Sequence, residues 1–420
     1  MTYTITGASV FLNGSFLRRN IVISDGLIVS VSSEAPKNIG GVVFKYDGAF
    51  VFPGFTDVHV HLREPGFSYK ETLLSGTLAA AHGGFTTVCA MPNLSPVPDS
   101  PKHLEAELDA IKKSARIRVL PYGALTVDEK GTELADLEGM AGSVAAFSDD
   151  GRGVQDPALM KEAMLRAKAL GKLVVAHCED ESLLRGGYIH DGEYCRAHSH
   201  KGISSESEWR MVERDIGLAA ETGCAYHVCH VSTKESVGLI RRAKHAGLDV
   251  SGETAPHYLM LCDSDLRDDG RFKMNPPIRS EADRKALLQG IQDGTLEMIA
   301  TDHAPHSAEE KSGGLAKSLN GIVGLETAFP VLYTGLVERG VISLERLVTL
   351  MSVGPCRRFG LSCGIIEGTP ADLTVFDLNE EYTVDPEKFL SLGRSTPFVG
   401  MRVRGKCLMT MVGGEIVYGG

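Results

Sequence analysis

At 420 residues the chain is too long for one ordinary core, so a large α/β barrel with a smaller unit attached is the first expectation. With 43% hydrophobic and 23% charged residues the composition is that of a globular protein, and no apolar run reaches the roughly 18 residues of a membrane-crossing helix. A net charge of −11 argues against a nucleic-acid surface, which needs clustered Lys and Arg, and favours a small-molecule partner.

The amino-terminal residues MTYTITGASVF alternate like a strand and lack the basic start and apolar run of a secretory signal. Nine scattered cysteines show no spacing of a disulfide framework or zinc knuckle. Both features lead to the expectation of a cytoplasmic protein.

Residues 1 to about 50 read as short strands, TITGASVFLNG and NIVISDGLIVSVSS, with Asn13-Gly14 and Asp25-Gly26 favouring tight hairpin turns. Strand-length apolar runs then alternate with amphipathic helical stretches. The strands are AFVFPGFTDVHV (49–60), TTVCAM from 86, IRVLPYGAL from 117, VAAFSD from 144, KLVVAHC from 172, AYHVCHV from 225, DVSGETA from 249 and EMIATDHA from 297. Helices between them include 101–115 and 207–223. Eight such units predict an α/β fold of the (β/α)₈ TIM-barrel type, with its chemistry at the carboxyl ends of the strands. An open doubly wound sheet would require neither the count of eight nor polar residues at successive strand ends.

The polar stretch 307–321, with Gly313-Gly314, reads equally as a cover over a site or as a plain surface connection. Strands return at ADLTVFDL (371–378) and in 405–420. Neither end of the chain can bury a core alone, so the two are expected to form one small β-sandwich. The resulting organisation is 1–52 as the first part of the sandwich, 53–362 as the barrel and 363–420 as the second part.

The chemistry begins in DVHVHLREPG (57–66), where alternation puts His59, His61 and Arg63 on one face of the first barrel strand. Two imidazoles so spaced can bind one metal ion, or can simply be two satisfied histidines. Later strands end alike: Ser148-Asp149-Asp150, His177 before Cys178-Glu179, Cys229-His230, and Asp302 through His306. Together these supply nitrogen and oxygen ligands for two divalent metals with a position left for water. Spacing alone leaves Asp149 and Asp150 as alternatives. Cys178, Cys229 and His303 should face away from the metals, and His257 sits close enough to serve behind a ligand. His190, His198 and His200 fall in a loop where exposed histidines are ordinary.

The combination HVHLREPG, AMPN ending at Asn93, AHCED, HVCHVS, KMNPP and ATDHAPH resembles dihydroorotase of the bacterial kind, within the amidohydrolase superfamily. The resemblance spans nearly the whole chain and implies two zinc ions. One would be held by His59, His61 and Asp302 and the other by His177 and His230, with Asp150 bridging. Asp302 would act as general base and acid while a metal-activated hydroxide attacks the ring amide, interconverting L-dihydroorotate and N-carbamoyl-L-aspartate in pyrimidine synthesis. His61, Arg63, Asn93, Asn275 and His306 would contact the substrate, with Asn320 and Gly321 touching its ring. Arg63 suits a carboxylate because a guanidinium donates to two oxygens at once.

Hydantoinases and allantoinases share this ring-opening chemistry, but they usually bridge their metals with a carboxylated Lys, which this strand end lacks. A non-catalytic partner of aspartate transcarbamoylase is the reading from another class, and it is disfavoured because every ligand position is filled. The resemblance also implies a homodimer and a possible transcarbamoylase association.

Overall fold

The structure, a computed structural model, describes residues 1–34 and 41–419. Its centre is a ring of eight parallel strands: Phe55–Val60, Phe85–Ala90, Arg118–Ala124 with a break at Tyr122, Phe147–Ser148, Val174–Ala176, Tyr226–Val228, Val250–Thr254 and Met298–Ile299. The third strand changes partner at its break. Arg118–Pro121 pairs with the second strand and Gly123–Ala124 with the fourth, while Tyr122 N donates to Ala90 O and Gly123 N to Ala146 O. Closure comes past the eighth strand, where His303 bridges Val60 in parallel and accepts from His61 N at 2.8 Å. All eight expected strands are present, and the two expected helices form as Pro101–Ser114 and Glu206–Thr222.

An apolar plug fills the ring from within: Val58, Met91, Tyr122, Ala146, Val175 and Met298 are buried together. A tightly packed plug of this sort makes the barrel a solid support for what stands above it. No helix among the described residues is long and apolar enough to cross a membrane.

The two chain ends form two sheets that share one apolar core. One sheet has the order Leu27–Ser32, Asn20–Ser24, Thr2–Thr6, Val42–Lys45, and the other Glu415–Gly419, Arg402–Val412, Leu373–Thr383, Phe50–Pro53, Ser9–Leu12, Ser15–Arg18. Ile5, Ile21, Ile23, Val51, Leu373 and Met409 meet between them. Asn13-Gly14 and Asp25-Gly26 adopt left-handed φ at both central residues (50° and 85°, 51° and 84°), the hairpin turns that their sequence favours.

The apolar run 49–60 is two strands rather than one. Phe50–Pro53 belongs to the sandwich and Phe55–Val60 to the barrel, because the chain changes sheets at Gly54. A side chain at Gly54 would lie 2.1 Å from Thr86 Oγ1, so only glycine lets the backbone pass.

The sheets and the barrel meet through four rings, Phe52, Phe55, Phe329 and Phe376, with centroids from 4.4 to 5.8 Å apart for all six pairings. Each ring is fully buried. Phe329→Ala should cost about 3–5 kcal/mol, the usual range for emptying such a site. Urea unfolding should show it as a lower midpoint, and a change below about 1 kcal/mol would mean that the rings do not join the two parts.

Candidate active site

Six of the expected ligands converge at the carboxyl ends of the strands, all buried: His59, His61, Asp150, His177, His230 and Asp302. Asp150 lies in the middle. Its Oδ1 faces His59 Nε2 (3.4 Å), His230 Nε2 (3.4 Å) and His177 Nδ1 (3.6 Å), while its Oδ2 faces His61 Nε2 at 3.4 Å. Asp302 Oδ1 stands 3.2 Å from His61 Nε2 and 3.6 Å from His59 Nε2. Asp149 is turned away, and its carboxylate accepts from Leu125 N (2.7 Å), Thr126 N (3.0 Å) and the Thr126 hydroxyl. The pair left open by spacing is thus separated: Asp150 faces the histidines and Asp149 pins the loop after the third strand.

Charge follows the geometry. Burial opposes ionisation of Asp150, but His59, His177 and His230 outweigh it and hold the carboxyl well below the usual range. Burial likewise opposes a charged His59 and His177, and Asp150 outweighs it for both, raising His177 to about 10. The site therefore draws positive charge into a dry pocket.

A metal ion would satisfy that demand, and the residues fit one. His59 Nε2 and Asp150 Oδ1 are buried and have no hydrogen-bond partner, although they face each other. The ligand atoms of His59, His61 and Asp302 lie within 4.8 Å of one another, as do those of His59, Asp150 and His230. Imidazole and carboxylate are the donors that catalytic zinc accepts.

Three of the residues gathered here bend the backbone into the left-handed region: Arg63 (φ 63°), His230 (φ 32°) and Asp302 (φ 49°). For side-chain-bearing residues this costs on the order of 1–3 kcal/mol each and persists only where the surroundings enforce it. The bend also explains a departure from simple alternation. Cys229, expected to face away, belongs to the plug directly below the site, with its sulfur within 4.8 Å of ligand atoms of His59 and Glu253. Extended backbone ends at Val228, so alternation no longer sorts the next residues. Cys178 does face away, packing with Tyr226 on the side of the helices.

Behind these side chains stands a layer that sequence reasoning missed. Glu253 in the seventh strand accepts from His59 Nδ1 (2.8 Å) and meets His227 Nε2 (3.0 Å), and its carboxyl is pulled down to about 2 against the opposing effect of burial. Such a carboxylate fixes which ring nitrogen of His59 faces a metal. Glu179 lies 3.7 Å from His177 Nε2. Glu208 gathers Ser232 N (3.1 Å), Thr233 N (3.0 Å) and both hydroxyls, fastening the segment after His230. For Glu253 the available signal was an acid inside a barrel strand, since a buried carboxylate requires partners.

The expected substrate contacts line the same mouth. Asn93 Oδ1 accepts from His61 Nδ1 at 2.9 Å. Arg63 is buried, with Nε donating to Pro305 O and Nη2 3.5 Å from His306 Nε2; burial lowers its pKa to about 10, leaving it charged at neutral pH. His306 Nε2 meets Asn320 O at 2.7 Å. Gly321 has φ 132°, and a side chain there would fall 2.6 Å from Ala304 O, so glycine lets this loop close against His306. Asn275 Nδ2 donates to Glu179 at 3.0 Å, while its Oδ1 is buried without a partner. The 307–321 loop carries a short helix, Gly314–Lys317, and is stapled by Lys311 Nζ to the carbonyls of Lys273, Leu319 and Gly321. His303 bonds Glu71, away from the cluster, and His190 is buried near Arg279 rather than exposed.

A (β/α)₈ barrel with this buried histidine–aspartate cluster defines a metal-dependent hydrolase of the amidohydrolase kind. In agreement, an L-hydantoinase (dihydropyrimidinase) from Arthrobacter aurescens superposes with a TM-score of 0.88 at 26% identity, over 99% of this chain and 96% of that one. The family model described as dihydro-orotase-like matches residues 48–236. Dihydroorotases of Geobacillus thermodenitrificans (50% identical, 98% of this chain and 97% of the relative) and Bacillus caldolyticus (49%, 98% and 97%) are similar over nearly their whole length. The chain belongs to the dihydroorotase family.

Two outcomes follow from this site. Replacing Glu253 by Gln keeps its shape but removes the charge behind His59, so metal affinity should fall roughly 10–100-fold; competition with a chromophoric chelator measures it, and unchanged affinity would exclude the orienting role. For pH, burial is the main cause that pushes His190 down to about 4, helped by Arg279, and His306 down to about 3, helped by Arg63 and Lys70. The unfolded chain protonates these rings near 6.5 and binds more protons below that value, so their stabilisation is complete above pH 6.5 and lost as pH falls toward 4. The slope is up to about 1.4 kcal/mol per pH unit for each ring. Urea midpoints between pH 7 and 5 should decline, and less steeply in His190→Asn.

Proposed function

We propose that this chain is a dihydroorotase, interconverting N-carbamoyl-L-aspartate and L-dihydroorotate by making and breaking the ring amide. The observation that carries the reading is the position of Asp150 between two histidine sets, with Asp302 and Arg63 at the same mouth. Similarity to dihydroorotases over nearly the full chain supports it. The unit that does this chemistry is the barrel, 53–362, flanked by sandwich parts 1–52 and 363–420.

We assign two zinc ions to the cluster, one on His59, His61 and Asp302 and one on His177 and His230, with Asp150 shared. When bound, such ions polarise the amide carbonyl and lower the pKa of water. The chain's own groups do the rest. Asp302 Oδ accepts the proton of the attacking water and returns it to the ring nitrogen, which departs poorly unless protonated. Arg63, anchored through Nε on Pro305 O, turns its outer nitrogens to the substrate carboxylate. His306, neutral because burial beside two cations suppresses its charge, and the amides of Asn93 and Asn275 orient the ring, with Asn320 and Gly321 at its edge.

The test is turnover of dihydroorotate with metal analysis. Two zincs per chain and activity that is lost on chelation and restored by Zn²⁺ are expected. Asp302→Asn should lower kcat by about 10²–10⁴. Arg63→Lys should raise KM for dihydroorotate more than it lowers kcat, since a point charge replaces a fork. Turnover of hydantoin in preference to dihydroorotate would instead place the enzyme with the hydantoinases.

A further inference from the structure

At the amino-terminal end of the barrel, opposite the histidine cluster, two cysteines lie side by side. Cys356 sits in the short helix Gly354–Arg358, and Cys363 in the segment that leads to the sandwich. Gly360 (φ 65°) and a bond from Leu361 N to Cys356 O (2.8 Å) fold the chain back so that the two thiols meet. Cys363 is the one cysteine of the nine that is not fully buried. Its side chain lines two adjoining cavities of about 410 and 810 Å³, which share Pro53, Gly364 and Ile366, and Cys356 lines the smaller one.

The surroundings favour a thiolate on Cys363. Ser352 Oγ lies 3.2 Å from its sulfur and can turn from Gly54 O, 2.9 Å away, to donate to it. Cys356, whose own sulfur lies 3.3 Å from Thr56 Oγ1, presents its S–H to the same atom. Charged groups of the cavities offset one another: Arg118 pairs with Asp372 in one, and Arg357 with Glu367 lines the other. Hydrogen bonding therefore carries the effect, which lowers the Cys363 thiol to about 7 and raises that of Cys356.

We propose that Cys363 and Cys356 form an oxidisable dithiol site for small hydroperoxides, with Cys363 as the attacking thiolate and Cys356 as the thiol that resolves it. The Cys363 thiolate attacks the O–O bond of hydrogen peroxide, giving a sulfenic acid and hydroxide, which takes up the released thiol proton as water. Cys356 sulfur then displaces a second water from the sulfenic acid and closes the disulfide. In sum two thiols and one peroxide give one disulfide and two waters. Transient disulfides of this sort are how thiols in reducing compartments sense oxidants. The bond ties the barrel floor to the start of the returning sandwich segment and touches no residue of the metal cluster.

The metal-loaded protein is titrated with hydrogen peroxide and read by intact mass and peptide mapping, and a parallel sample is alkylated with iodoacetamide across pH. A loss of about 2 Da with one cross-link joining 356 and 363 is expected, as is native alkylation first at Cys363 with a midpoint near 7. In Cys356→Ala, which leaves no donor at that position, the midpoint should rise and oxidation should stop at a gain of about 16 Da; in Cys363→Ser no cross-link should form. A cross-link elsewhere, no cross-link, alkylation first at another cysteine, or a midpoint near 8.5 unmoved by Cys356→Ala would each overturn the proposal.

Discussion

The structure depends on a single buried carboxylate. Asp150 is removed from water, which costs several kcal/mol for an ion left alone, and its compensation comes from histidines on the first, fifth and sixth strands. Those strands must therefore end at one level, and the level is held by the ring itself: the plug beneath and the closing bond from His61 N to His303 O. A slip of one residue in any of them would turn a histidine toward the helices and strand the charge.

Preorganisation extends outward from there in layers. Glu253 holds His59, Asn93 holds His61, and Glu208 holds the segment after His230, so these three histidines are braced by the protein itself. The left-handed residues at Arg63, His230 and Asp302 belong to the same design. Each aims a functional side chain off a strand end, and its strain is held in place by dense hydrogen bonding, as where Asp57 receives Thr301 N and His59 N.

The terminal sheets take part in this support. Their aromatic junction lies beneath the barrel, yet the carboxyl-terminal segment also reaches the mouth. Glu71, fully buried, receives Leu392 N and the Ser391 hydroxyl, and Val323 N donates to Ser395 O just beyond the loop that presents His306. Residues more than 300 positions apart in sequence thus brace one wall of the site.

The sequence by itself determined the eight strands, the hairpin turns and the set of metal-type side chains, because these are written in local signals: apolar runs of strand length, Asn-Gly and Asp-Gly pairs, and polar residues recurring at strand ends. It reached Asp150 only through resemblance, since alternation cannot choose between neighbours where a strand lasts two residues, Phe147–Ser148. The break at Gly54, the inward turn of Cys229, the burial of His190 and the roles of Glu253 and Glu208 were decided by tertiary structure alone. Each depends on what lies across space, Thr86 against Gly54 or His59 against Glu253, and such contacts leave no periodic trace in the chain that makes them.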